Sequence, residues 1–157
     1  MSRMRVINIH EPELEHDPDE PEPYRVPMDR FGPRIGASRM GGSIYELAPG
    51  RSVCPYHYEW GEEEWLVVLE GPVVVRHVAG EDELRAGDVV CFPPGPEGAH
   101  KVTNRGAEPV RVLMLSTVVW PAVSVYPDSD KVGVYPAPGE RLIVRRGDAR
   151  DYFDGEL

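Results

Sequence analysis

The run "CPYHYEWGEEEWLVVLEG", Cys54 to Gly71, concentrates side chains that can grip a cation. His57 and Glu59 stand two apart, and in a strand such residues project from the same face. Gly61 marks a turn, and Glu64 opens the returning strand, where it can come back beside the first pair. One imidazole and two carboxylates aimed at one point suit a divalent ion, with a further arm required from elsewhere in the chain. The competing reading is a solvated charge run: "EEE" is an ordinary surface turn, and a lone strand histidine is commonly a surface or hydrogen-bonded residue.

Strands must do the positioning. From residue 41 to 126 the runs "SIYELAPG", "EWLVVLEG", "PVVVRHVAG", "GDVVCFPPG", "HKVTN" and "VRVLMLSTVV" are short, apolar and β-branched, and Gly, Pro, Asp or Asn separates them. That rhythm predicts an all-β sandwich or barrel, and no window carries a convincing helical period. Along 64–69, Glu64, Leu66 and Val68 share one face, while Trp65, Val67 and Leu69 share the other. Both faces are apolar, so both are expected to be covered, one by a barrel interior and the other by a second layer or a partner subunit. A homodimer is the expectation for that second face.

Residues 10–23, "HEPELEHDPDEPEP", hold seven acids and four prolines. Proline removes backbone donors and like charges repel, so this is an extended arm, with His10 and His16 read as surface residues. The chain divides into an arm over 1–40, a barrel over 41–126 and an extension over 127–157. Tyr152 and Phe153 are expected to pack that extension back onto the barrel.

Composition narrows the function. A formal charge of −10 argues against nucleic acid, because binding there relies on Lys and Arg. No run approaches the roughly 20 apolar residues of a membrane span. The first residues lack the apolar stretch of a leader peptide, so the expected location is cytoplasmic. Two cysteines, Cys54 and Cys91, fit reduced thiols, each read as a small buried hydrophobe in a strand.

Two segments resemble the paired motifs of the cupin superfamily. "PGRSVCPYHYEWGEEEWLVVLEG" is similar to the first: Gly50, His57, Glu64 and Gly71 take motif positions, with six residues rather than the usual five between Gly50 and His57. "GDVVCFPPGPEGAHKVTN" is similar to the second through Gly87, Pro93, Gly95, His100 and Asn104, with four residues in place of two between Gly95 and His100. The resemblance implies a double-stranded β-helix (jelly-roll) barrel with a metal held by His57, Glu64, His100 and the residue at 59. Cupins normally have histidine at that last position; this chain has Glu59. A second carboxylate shifts preference toward harder ions such as Mn²⁺ or Fe²⁺, with Zn²⁺ and Ni²⁺ still accommodated. Alternatively Glu59 stays away, and His57, Glu64 and His100 alone form a two-histidine, one-carboxylate set.

The resemblance implies a metal-dependent enzyme acting on a small molecule at the barrel mouth, by isomerase-like or dioxygenase-like chemistry. The alternative is a non-catalytic cupin that binds or senses a small ligand. The chain looks similar to cupins described as sugar-phosphate-isomerase-like. Arg51, Arg76 and Arg111 are the cations considered for an anionic substrate, each with sheet-edge solubility as its plainer role. His100 followed by Arg111 is also formally like the pattern of 2-oxoglutarate oxygenases, whose arginine grips a carboxylate. His77 shares a face with Val73 and Val75 and can reach the pocket or simply hydrogen-bond on its strand. Asn104 and the tyrosines Tyr56 and Tyr58 are read as structural.

Overall fold

The computed structural model describes residues 3–156, and nearly all regular structure in it is antiparallel strand. Twelve strands form: β1 Met28–Asp29, β2 Met40–Leu47, β3 Tyr58–Trp60, β4 Glu64–Glu70, β5 Val73–His77, β6 Gly80–Leu84, β7 Val89–Phe92, β8 His100–Thr103, β9 Val110–Thr117, β10 Ala122–Tyr126, β11 Lys131–Tyr135 and β12 Leu142–Arg145. They build the predicted double-stranded β-helix barrel. One sheet runs β1-β2-β9-β4-β7. Facing it are β12-β11-β10-β3 and β6-β5-β8, joined by bridges between His57 and His100 and between Ser52 and Thr103. Among the described residues no helix is long and apolar enough to cross a membrane.

Alternation decides what faces inward. Residues paired directly across antiparallel strands share a face. The register therefore lays out rows across the first sheet: Leu47 with Val110; Tyr45 with Val112 and Val68; Ser43 with Met114, Leu66 and Val90; Gly41 with Ser116, Glu64 and Phe92. The lower rows meet Val73, Val75 and Val102 of the opposite sheet in one buried core. Each fully buried Val or Leu contributes roughly 1.5–3 kcal/mol of transfer free energy. The last row is where polarity enters, and it places Glu64 at the open end of the barrel.

The outer face of the same sheet is covered on one side only. Phe31 lies on Gly42, where an added Cβ would come within 2.5 Å of its ring, and Ile44 beside it is fully buried. Farther across, Trp65 and Val89 remain 42% and 51% exposed. The predicted faces of β4 are thus correct.

Both sheets recruit strands from outside 41–126: β1 pairs with β2, and β11 pairs with β10. Tyr152 and Phe153 do not pack on the barrel. They are exposed and stack edge-on against each other at 4.9 Å, because the last strand they follow is itself an exposed sheet edge. The cysteine expectation also needs correction. Cys54 lies in a turn and is half-buried, while Cys91 points from β7 to the outer face and is exposed.

Candidate metal centre

His57 and His100 come from the two sequence motifs and meet on one rung. The His57 N–H donates to the His100 carbonyl at 3.1 Å, and the His100 N–H donates to the His57 carbonyl at 2.8 Å. A reciprocal pair of this kind keeps both side chains on one face. Their rings lie 4.8 Å apart, centroid to centroid. Glu64 reaches the same point from β4: one of its carboxylate oxygens is 3.5 Å from Nε2 of His57 and 3.5 Å from Nε2 of His100. One donor atom from each of the three lies within 4.8 Å of the others.

The tautomers are fixed from behind. His57 Nδ1 donates to the Pro55 carbonyl at 3.0 Å, and His100 Nδ1 donates to the Gly98 carbonyl at 2.8 Å. Carbonyl oxygens only accept, so each Nδ1 carries the proton and each Nε2 turns toward Glu64. This is how ligating histidines are oriented. His100 is 1% exposed, and its Nε2 has no hydrogen-bond partner. A buried, partnerless acceptor normally costs about 1–3 kcal/mol, and a cation would satisfy it. Two donors about 2.1 Å from an ion at tetrahedral angles sit about 3.4 Å apart, which matches the 3.5 Å from Glu64 to each histidine. Phe92 fixes the His100 ring by stacking on it at 3.6 Å and 6°.

Glu59 stands slightly apart. On β3 it shares the His57 face, and its carboxylate is 3.7 Å from His57 Nε2. Ser124 of β10 pairs opposite Glu59, and its hydroxyl lies 2.7 and 2.8 Å from the two carboxylate oxygens. The set of converging donors is therefore His57, Glu64 and His100, with Glu59 beside it and tied to Ser124.

Electrostatics separate the four groups. Burial pushes His100 down to about 4, so its ring is a free base at neutral pH. Burial acts the same way on His57, but Cys54 and Glu64 outweigh it and hold its pKa well above the ordinary imidazole value. Burial works against charge on Glu64 too, and its contacts with His57 and His100 reverse that, leaving its pKa lowered. Without an ion, a proton on His57 supplies the positive charge next to Glu64. Glu59 differs: burial lifts it to about 7 despite the Ser124 hydrogen bond.

Space for a substrate opens beside these groups. A cleft of about 240 Å³ is lined by His57, Glu59, Ser124, Tyr126, Tyr135 and Trp120 among others. Trp120 also borders a larger lobe of about 490 Å³ that touches Glu64 and the Gly41–Ser116 end of the barrel. Ser124, Tyr126 and Phe92 were not singled out from sequence. The alternation in "AVSVY" places Ser124 and Tyr126 on one face, but only the fold shows that this face looks at Glu59.

The other candidates serve structure. His77 is bound to Asp82 at 3.0 Å. Asn104 is fully buried and donates to the Leu47 and Glu108 carbonyls. Arg76 is held by Asp128 and covers the Tyr56 ring, and Arg51 pairs with Glu22. Arg111 is bound to Glu46 on the outer face of β9, away from His100, which removes the oxygenase-type carboxylate clamp.

Residues 43–116 match the family model of the cupin domain. A sugar phosphate isomerase of the cupin superfamily from Silicibacter pomeroyi superposes with a TM-score of 0.80 at 24% identity, over 95% of this chain and 98% of that one. A provisionally assigned sugar phosphate isomerase from Acidithiobacillus ferrooxidans gives 0.83 at 24% identity, over 94% and 96%. A predicted oxalate decarboxylase from Thermotoga maritima gives 0.60 at 22% identity, over 73% and 99%. No curated protein matches the sequence. At such identities the likeness is one of fold. The motif residues, the barrel and the matched segment agree: residues 43–116 form a cupin domain.

Proposed function

We propose that this cupin is a divalent-metal enzyme that moves a proton on a small carbonyl substrate, an isomerase-class reaction with Glu59 as the base. The observation that carries the reading is Glu59 itself. It is a half-buried carboxyl raised to about 7, 3.7 Å from a histidine of the donor set and bordering the cleft. A general base works best with a pKa near the working pH. A divalent ion on His57, Glu64 and His100 would supply Lewis-acid polarisation of the substrate oxygen, which acidifies the neighbouring C–H.

The chain's own groups do the rest. Glu59 takes the proton from one carbon and returns it to the next while a second proton passes from the substrate's hydroxyl to its carbonyl oxygen, so bonds balance without an oxidant. Ser124 holds the carboxylate in place while it does so. Tyr126 and Tyr135 share a hydrogen bond of 2.9 Å at the cleft wall, and burial lifts the Tyr126 pKa far above its ordinary value. Tyr126 thus keeps its proton and can donate to a substrate oxygen. Two imidazoles and one carboxylate suit Mn²⁺, Fe²⁺, Zn²⁺ or Ni²⁺.

A second reading follows from Glu59 being occupied by Ser124. The remaining two-histidine, one-carboxylate set is that of non-haem iron oxygenases. The experiment is to purify the protein without added metal, measure bound metals, and follow deuterium uptake by candidate aldoses and ketoses in D₂O. Near-stoichiometric metal and Glu59-dependent exchange support the isomerase reading. Oxygen consumption without exchange favours the second. Metal-free protein whose melting ignores chelator leaves a ligand-binding cupin without metal chemistry.

A further inference from the structure

The larger lobe of the opening has its own chemistry. Its floor is the end row of the first sheet, where Gly41, Ser116 and Glu64 stand side by side on β2, β9 and β4. An added Cβ on Gly41 would come 2.7 Å from the Ser116 Oγ, so glycine keeps that hydroxyl open to the lobe. Ser43 adds a second hydroxyl. Tyr45 adds a third, whose pKa burial lifts to about 12, so it remains a donor at neutral pH.

At the edge of this lobe lies Arg30. It is exposed and, among the described residues, forms no ion pair, although acids outnumber bases 27 to 17 in the chain. Its neighbour Arg34 is taken up by Asp29 and Glu13, and Arg51, Arg76, Arg105 and Arg111 each have a carboxylate partner. Arg30, Tyr45 and Glu64 all line this one lobe.

From this arrangement we infer that Arg30, with the Ser43 and Ser116 hydroxyls, seats the anionic end of the substrate while its other end lies at His57, Glu64 and His100. The substrate class is therefore a small acid, phosphorylated or carboxylated, that also carries the oxygen on which the chemistry occurs. This rests on the proposed metal-dependent reading for its reacting end and on the Arg30 lobe for its anionic end. A lobe of about 490 Å³ is in the range of small-molecule sites. A guanidinium presents a fork of donors matched to phosphate or carboxylate oxygens.

The test uses full-length zinc-loaded protein titrated with inorganic phosphate and, separately, with propionate, by calorimetry and by amide shifts of Gly41, Ser43 and Ser116. Wild type is expected to bind at least one of these anions. Arg30→Gln should weaken that binding about tenfold, the scale of one charge-assisted hydrogen bond. Arg30→Lys should recover part of it, with zinc content unchanged in both. Tighter phosphate than propionate assigns a phosphorylated substrate, and the reverse assigns a carboxylate. Stoichiometric zinc with no anion binding, or with anion binding indifferent to Arg30, overturns the inference and leaves the metal reading standing. Loss of zinc binding with Arg30-dependent anion binding intact does the opposite: the seat survives and the metal reading falls.

Discussion

The Ser124 hydroxyl sits 2.7 and 2.8 Å from the two carboxylate oxygens of Glu59, across the pairing of β10 with β3. That contact decides the part Glu59 can play. A carboxylate held from behind keeps its orientation and its reach, and it stays beside the histidine–glutamate cluster without having to join it.

Glu59 should therefore show itself as a proton on metal binding. Burial raises it to about 7, so below that pH it keeps its proton in the metal-free protein. A nearby cation favours the carboxylate form, so loading expels the proton, and affinity rises with pH until about 7 on account of this group. Calorimetry at pH 6 in two buffers of different ionisation enthalpy should count about one more proton released per ion by wild type than by Glu59→Gln. Equal counts would mean that Glu59 does not sense the ion.

Ser124→Ala removes a hydrogen bond that favours the ionised carboxylate, so it should raise the Glu59 pKa further. The acid limb of the pH–rate profile is expected to move to higher pH, while metal content stays at the wild-type level. A lost ion together with an unmoved acid limb would show that Ser124 supports the metal rather than the base.

Removing the metal should cost stability. An ion present at a hundred times its dissociation constant stabilises the folded chain by about 2.7 kcal/mol, which corresponds to a melting shift of about 5–10 °C at this chain length. Chelation of wild type should lower the melting temperature by that amount, and chelation of Glu64→Gln should leave it nearly unmoved. An equal shift in both would place the ion elsewhere.

Phe92→Ala tests the support of His100. The ring is 5% exposed and stacks on the imidazole, so truncation should cost about 3–5 kcal/mol and loosen the donor set. Phe92→Leu keeps much of the packing without the stack. Weaker metal binding in Phe92→Leu, at a stability cost below about 1.5 kcal/mol, separates the orienting role from filling the core.

The outer face at Trp65 and Val89 motivates a homodimer. Sedimentation at micromolar concentration should show the dimer, and Trp65→Lys should weaken it. A monomeric wild type would end the proposal.

Much of this was legible in the chain. Period-two alternation assigned Leu66 and Val68 to the interior and Trp65 to the outside, because one sheet face must be buried. The two motif segments point to His57, Glu59, Glu64 and His100, and the structure groups the donors of His57, Glu64 and His100 with Glu59 beside them. What stayed hidden depends on pairings far apart in sequence. Glu59 meets Ser124 across 65 residues, and no local pattern foretells that partner. Arg30 lies in the segment read as an arm and drew no attention there, while Arg76 and Arg111, which did, are neutralised by neighbouring carboxylates. Tyr152 and Phe153 misled because aromatic content alone does not say against what a ring will rest.

The rung that joins His57 to His100 explains why altered motif spacing does no harm. Extra residues enter before each histidine, in the loops leading up to it, and the mutual backbone clasp resets the geometry afterwards. Loop length and ligand placement are thereby uncoupled. The approaches remain tied to the site at Pro55 and Gly98, whose carbonyls hold the two Nδ1 protons, so a new guest is accommodated by residues added ahead of those two points.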